Sequence, residues 1–248
     1  MDQRNNRNSE RSTNLLVSPQ NLSILPMLQA TTLDFLRQLK ANNNTVWFHD
    51  NRKQYDMARQ NVESLVADLI IAISKFDPAI AQVSPKSCFF RINRDIRFSK
   101  DKTPYKTNMG AYITKEGKKS VLAGYYLHIE PDNQGFLAGG MYQPMPNLLA
   151  AIRQEIDYHQ EEFRQIIESP NFIHYFGTLE GAKLQTAPKG YPKDHVAIEW
   201  LKHKDFVVTH ALTDQQLLAN NLATYSQNVF AAMLPLNQFM NRTVIEEQ

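Results

Sequence analysis

The segment Phe90–Lys106, FRINRDIRFSKDKTPYK, gathers the side chains of this chain best suited to holding an anion. Arg91, Arg94 and Arg97 recur at every third residue, and Lys102 and Lys106 follow with Tyr105 between them. Guanidinium groups grip phosphate or carboxylate through paired hydrogen bonds, ammonium groups add point charge, and a phenol supplies a neutral donor. Asp95 stands among them as an orienting carboxylate or a base. Between Lys86 and Lys119 ten Lys or Arg face three Asp or Glu, a local charge of +7 in a chain of net charge +2, so the other residues sum to −5. Such a concentration repels itself unless a bound anion or carboxylates from elsewhere offset it. Residues 130–180 hold eight acids and two Arg, so a structural ion-pair network competes with an anion site. A nucleic-acid surface is the third reading, because Phe89, Phe90, Phe98, Tyr105 and Tyr112 interleave with the charges. The concentrated acidic half weighs against it.

A second group lies in Tyr126-Leu127-His128-Ile129-Glu130. Strand alternation puts Tyr126, His128 and Glu130 on one face, where a His and a carboxylate form an acid/base pair, two metal ligands or a plain polar pair. Asp95, His128 and Glu130 are therefore the candidate acid/base residues, and whether the protein is an enzyme stays open. Pro188-Lys189-Gly190-Tyr191 places a Gly where a turn needs one and leaves Lys189 able to reach an anion. Gly139–Gly140 inside a strand pattern implies a bulge or a close backbone approach, to a ligand or to a neighbouring element. The sequence contains no G-x-G-x-x-G, G-x-S-x-G or H-E-x-x-H. With one Cys and seven scattered His it offers no metal cluster, and it names no cofactor.

The elements that must position these groups read as α+β. Residues 1–25, rich in Asn, Ser and Arg, have little to bury and are expected to be a mobile tail; residues 26–248 are expected to form one domain. Thr31 or Thr32 caps a short helix, and from about Asn51 a long one presents Tyr55, Ala58, Val62, Leu65, Leu69, Ile73 and Phe76, ending at Asp77–Pro78. The period then becomes two over Ser87–Asn93, Met109–Lys115, Ser120–Glu130 and Phe136–Tyr142, with links between the last three short enough for an antiparallel meander. A helical stretch after Pro146 breaks near His159. Asp205–Leu212 is strand-like, and Thr213 with Gln216 forms a capping box before a last long helix stopped by Pro235. The expected fold is an antiparallel meander flanked by long amphipathic helices. The single Cys88 lies in an apolar run, which fits a core thiol in a reducing compartment. No apolar run approaches a membrane span and the first residues lack a signal peptide's apolar stretch, so a cytoplasmic protein without a membrane partner is expected.

Arg91-x-x-Arg94-Asp95-x-Arg97-Phe98-x-x-x-Lys102-x-x-Tyr105 resembles the signature of the bacterial and fungal family called domain of unknown function 2461. The likeness continues through Tyr126–Pro131, Ala138–Gly140, Pro188–Tyr191 and Leu201–Lys204, roughly residues 30–240. It departs mildly at Met141, where many relatives have a third Gly, and at Lys202, where Arg is frequent. The resemblance supplies no catalytic residues. It implies that the basic loop, the His-x-Glu strand and the Lys-Gly turn belong to one recurring design. The expectation is a cleft between the Arg91–Lys106 loop and Tyr126, His128 and Glu130 that holds a small phosphate-bearing ligand. The alternatives are a nucleic-acid module and a protein-interaction protein whose Arg residues serve ion pairs.

Overall fold

The computed structural model describes residues 27–244; the stretch expected to be a tail, residues 1–25, lies outside them. Helices α1 (Ala30–Ala41), α2 (Thr45–Asp50), α3 (Arg52–Ser74) and α4 (Pro85–Cys88) precede strands β1 (Met109–Ile113), β2 (Gly124–Ile129) and β3 (Gly135–Met141). Helices α5 (Pro146–Tyr158), α6 (Gln160–Ile167), α7 (Pro170–Phe176) and α8 (Ile198–Leu201) then lead to β4 (Phe206–Leu212), followed by α9 (Asp214–Leu217) and α10 (Leu222–Asn241). The strands lie in the order β1-β2-β3-β4 with every neighbouring pair antiparallel. The fold is the α+β meander that the alternating segments foretell. Among the described residues no helix is long and apolar enough to cross a membrane.

Period decides which side of each element is buried. Tyr55, Ala58, Val62, Leu65, Leu69 and Ile73 form one buried stripe on α3. On the strands, Ala111, Tyr125, Leu127, Ile129, Leu137 and Val208 are buried at every second position. This face meets the two longest helices, α10 against β2 and β3 and α3 against β1. Tyr125 packs edge-on against Phe230 with ring centroids 5.4 Å apart, and its hydroxyl donates to Asp77 Oδ2 at 2.9 Å. The intervening positions make the opposite face, where Tyr126 stands between Tyr112 and Ala138, and His128 between Gly110 and Phe136.

The turn between β2 and β3 is short and centred on Asp132, with Asp132 and Asn133 at φ 67° and 58°, the left-handed region that Asp and Asn enter more readily than other non-glycine residues. Asp214 holds it by accepting the N–H groups of Asp132 and Asn133 at 3.1 and 2.9 Å. The close approach expected at Gly139–Gly140 is made by protein. A Cβ on Gly139 would strike Met233 of α10, and one on Gly140, at φ 95°, would strike the Phe206 carbonyl of β4.

Four local expectations differ from the structure. Ser87–Asn93 is not a strand: Pro85 opens the helical turn α4, where its missing N–H costs nothing, and beyond it only single bridges form, Phe89 with Ala111 and Asn93 with Tyr105. Helix α1 begins before Thr31, and the Thr32 hydroxyl, buried inside it, donates to Asn61 Oδ1 at 2.9 Å. Thr213 and Gln216 do form a capping box, but it starts the short α9 and not the long last helix. Pro235 lies inside α10. The helix continues because Leu236, Phe239 and Met240 beyond it are fully buried, which outweighs the roughly 3 kcal/mol an interior proline costs. The break near His159 stands as expected, between α5 and α6.

Candidate functional site

On the sheet face opposite the two long helices, three consecutive outward positions of the β2 region bond in series. The Tyr126 hydroxyl lies 2.9 Å from His128 Nδ1, and His128 Nε2 lies 2.9 Å from Glu130 Oε2. The Thr107 hydroxyl donates to the other carboxylate oxygen, Oε1, at 2.7 Å. A carboxylate can only accept, so Nε2 carries the imidazole proton and Nδ1 accepts from the Tyr126 hydroxyl. Burial holds His128 below the ordinary imidazole value despite Glu130, which keeps the ring neutral. Burial and Glu130 together push the Tyr126 phenol up to about 12. Cross-strand Phe136 stacks on the imidazole at 4.3 Å and 13°, fixing its plane. The Tyr126 ring reaches His128 by lying over Gly110, where a Cβ would overlap the hydroxyl.

Beside this chain of groups the sheet face opens into a cleft of about 660 Å³, a size usual for small-molecule sites. Phe90, Tyr126, Phe136 and Leu148 contribute to its apolar wall, and Lys106 and Lys118 bring charge. A small recess adjoins it, sharing Phe90 and Lys106 and lined further by Arg59, Arg91, Asn108 and Gly110. Arg59 comes from α3 and lies over the Phe89 ring at 5.1 Å; Lys106 lies over Phe90 at 5.4 Å. Among the described residues, Arg59, Arg91 and Lys106 form no ion pair. Burial, with Arg91 nearby, lowers the Lys106 pKa. Three cations thus share one recess without a carboxylate to offset them.

Arg94, Arg97 and Lys102 of the segment are engaged within it. Arg94 Nη1 pairs with Asp101 and the Thr103 hydroxyl and donates to the Thr103 carbonyl at 3.3 Å. The Thr103 N–H and Arg94 bring the Asp101 carboxyl down to about 2. Arg97 forks onto Asp95, Nε to Oδ1 at 2.9 Å and Nη2 to Oδ2 at 2.7 Å, and so holds that carboxyl below its usual range. Lys102 Nζ donates to the Ile96 carbonyl at 2.9 Å. Tyr105 is buried, its ring stacked on Phe48 at 4.0 Å and its backbone joined at both N–H and C=O to the Asn43 side chain. None of Arg94, Asp95, Arg97, Lys102 or Tyr105 lines the cleft or the recess.

Lys189 is exposed in a turn closed by Tyr191 N–H to Pro188 O at 3.2 Å, with Gly190 at φ 95°. The turn leads to His195, whose Nε2 bonds Asp157 of α5 at 2.9 Å and whose Nδ1 accepts the Ala197 N–H at 3.1 Å. Lys189 does not line the cleft. The structure therefore joins Arg91 and Lys106 of the basic segment to the Tyr126–Glu130 strand and sets the Lys-Gly turn apart.

Sequence reasoning missed Arg59, Thr107, Gly110 and Phe136. Only Phe136 had a readable signal, as the first apolar residue after a short turn and so a cross-strand neighbour of His128. Among the described residues no group of three or more His, Cys, Asp or Glu is placed to hold a metal.

Comparison with curated proteins gives no match, and comparison with solved structures gives none either. A family model does match, over residues 31–239, which takes in every element from α1 to most of α10 as well as the basic segment and the Tyr126–Glu130 strand. On that match the chain belongs to the family described as conserved hypothetical protein, DUF2461.

Proposed function

We propose that this protein binds a small organic anion, with the apolar or aromatic body of the ligand in the cleft and its phosphate at the mouth of the recess, beside the Lys106 that cleft and recess share. The observation that carries this reading is the grouping of Arg59, Arg91 and Lys106 around one recess without ion pairs, while Arg94 and Arg97 in the same segment are matched by carboxylates. An uncompensated cluster of this kind is stabilised by a dianion. Phe90 and Phe136 suit a ring-bearing body such as a nucleobase. The buried Cys88 accords with a reducing cytoplasm.

A thermal-shift screen of phosphorylated metabolites and nucleotides tests the proposal. A ligand at 100 times its Kd stabilises the native state by about 2.7 kcal/mol. Arg91→Gln combined with Lys106→Gln is expected to remove the shift, and Arg97→Ala to leave it. A panel without a hit, or a shift that survives the double substitution, would overturn the reading.

A nucleic-acid surface is favoured by a different observation, the 94% exposure of Phe98 beside Arg97 and Lys100. It requires binding to short oligonucleotides that weakens steeply with salt and is lost in Phe98→Ala.

A further inference from the structure

Of Tyr126, His128 and Glu130, Tyr126 alone lines the cleft. Its hydroxyl rests over Gly110, and Gly110 lines the recess together with Arg59, Arg91 and Lys106. The Tyr126 side chain thus lines the apolar cleft while covering Gly110 of the cation recess, which shares Phe90 and Lys106 with the cleft. Its hydroxyl proton points to His128 Nδ1, which leaves the oxygen's lone pairs available to whatever occupies the cleft beside it. Behind it the imidazole is fixed by Glu130 and by stacking on Phe136, and the carboxylate is fixed by Thr107. A hydroxyl bonded to an imidazole that is itself oriented by a carboxylate is the arrangement of an activated nucleophile.

We propose that Tyr126 is a nucleophile toward phosphate esters or anhydrides, with His128 as its base and Glu130 as the positioning group. The inference rests on the anion-binding reading of the recess. In the first step the Tyr126 Oη–P bond forms and the ester P–O bond breaks, its electron pair leaving on the ester oxygen. The phenol proton passes to His128 Nδ1, and the imidazolium so formed faces Glu130. The leaving oxygen, in line on the far side of phosphorus, takes a proton from solvent. In the second step water attacks the phosphotyrosine from that far side and gives its proton to solvent, and the departing Tyr126 oxygen recovers the proton held on His128. Because the phenol resists ionisation, proton removal accompanies bond formation. Arg59, Arg91 and Lys106 stabilise the charge on the phosphoryl oxygens.

The test uses 4-(fluorosulfonyl)benzoate, whose tetrahedral sulfur stands in for phosphorus and whose carboxylate addresses the recess. Attack forms a Tyr126 O–S bond, breaks S–F with loss of fluoride, and sends the phenol proton to His128. Adducts are located and timed by mass spectrometry on the full chain, with Tyr158, 68% exposed and outside the cleft, as the internal reference. Tyr126 is expected to react about 100-fold faster than Tyr158, the scale of general-base assistance. The rate should fall as pH drops through the titration of His128, which lies below 6.5. His128→Gln should bring Tyr126 down to the Tyr158 rate. Gly110→Ala should do the same by displacing the hydroxyl while keeping all three residues, so the test survives if the His128 variant does not fold. A rate for Tyr126 no higher than for Tyr158, or one unchanged in folded His128→Gln, would overturn the proposal. Benzenesulfonyl fluoride, which lacks the carboxylate, separates the two claims. If it labels Tyr126 as fast as the benzoate does, the anion reading fails and the nucleophile stands. If the benzoate protects the protein thermally yet leaves Tyr126 unlabelled, the nucleophile fails and the anion reading stands.

Discussion

The neighbouring cations of the basic segment meet different fates because each depends on what its own backbone places within reach. Arg97 finds Asp95 two residues away and Arg94 finds Asp101 across the loop, whereas Arg91 points to a recess walled by Phe89, Ile92 and Gly110. Spacing along the chain made the charge concentration legible but could not sort these outcomes, since pairing is decided by loop closure. Arg59 was invisible for a related reason. On a long amphipathic helix a half-exposed Arg reads as a solvated side chain, and it joins the site only because α3 passes beside Phe89. By contrast, Tyr126, His128 and Glu130 were readable as one face, since strand alternation alone puts them there. A buried imidazole elsewhere gives a pH prediction at this scale. Burial and nearby Lys183 pull His203 down to about 4 from 6.5. Protonation is therefore taken up first by the unfolded chain, and the stability contributed is intact above 6.5 and lost as pH falls to about 4. His128, shifted in the same direction, adds to the trend. Urea midpoints measured at about pH 7 and about pH 4.5 are expected to differ less in His203→Gln than in the parent protein.

At the scale of elements, the long helices and the three meander strands were legible because their apolar periods are sustained. The error at Ser87–Asn93 arose where a run too short to show a period was given one, and Pro85 decided the outcome. Pro235 misled in the opposite sense, since burial of the residues after it lies beyond any local rule. The join between α10 and the sheet was also unreadable, because it is made by one polar side chain. Buried Asn237 accepts the Gly140 N–H at 2.9 Å and donates to the Gly124 carbonyl at 3.1 Å. Both backbone groups sit at ends of their strands, and Asn237→Ala strands them in the core. A loss of about 2–3 kcal/mol is expected, measurable by urea denaturation.

For the whole molecule, the decisive fact is that the two longest helices cover the same side of the sheet. Stability is concentrated on that side and the cleft opens on the other. Leu127→Ala, on the covered face, is expected to cost about 2–5 kcal/mol. Tyr126→Phe, one residue away, is expected to cost about 1 kcal/mol or less while abolishing the labelling described above. Equilibrium unfolding of the two variants checks the contrast.

The alternation within β2 has a consequence for how this strand can change over generations. Positions 125, 127 and 129 answer to packing, and position 126 answers to whatever enters the cleft, with 128 and, just beyond the strand, 130 answering to it through the bonds that hold Tyr126. A library randomised over Tyr125–Glu130 and sorted only for folding should hold the odd positions and let the even ones drift. Sorting for reactivity should hold both. A single strand would then carry two interleaved histories, and new chemistry could be written into one of them without disturbing the other.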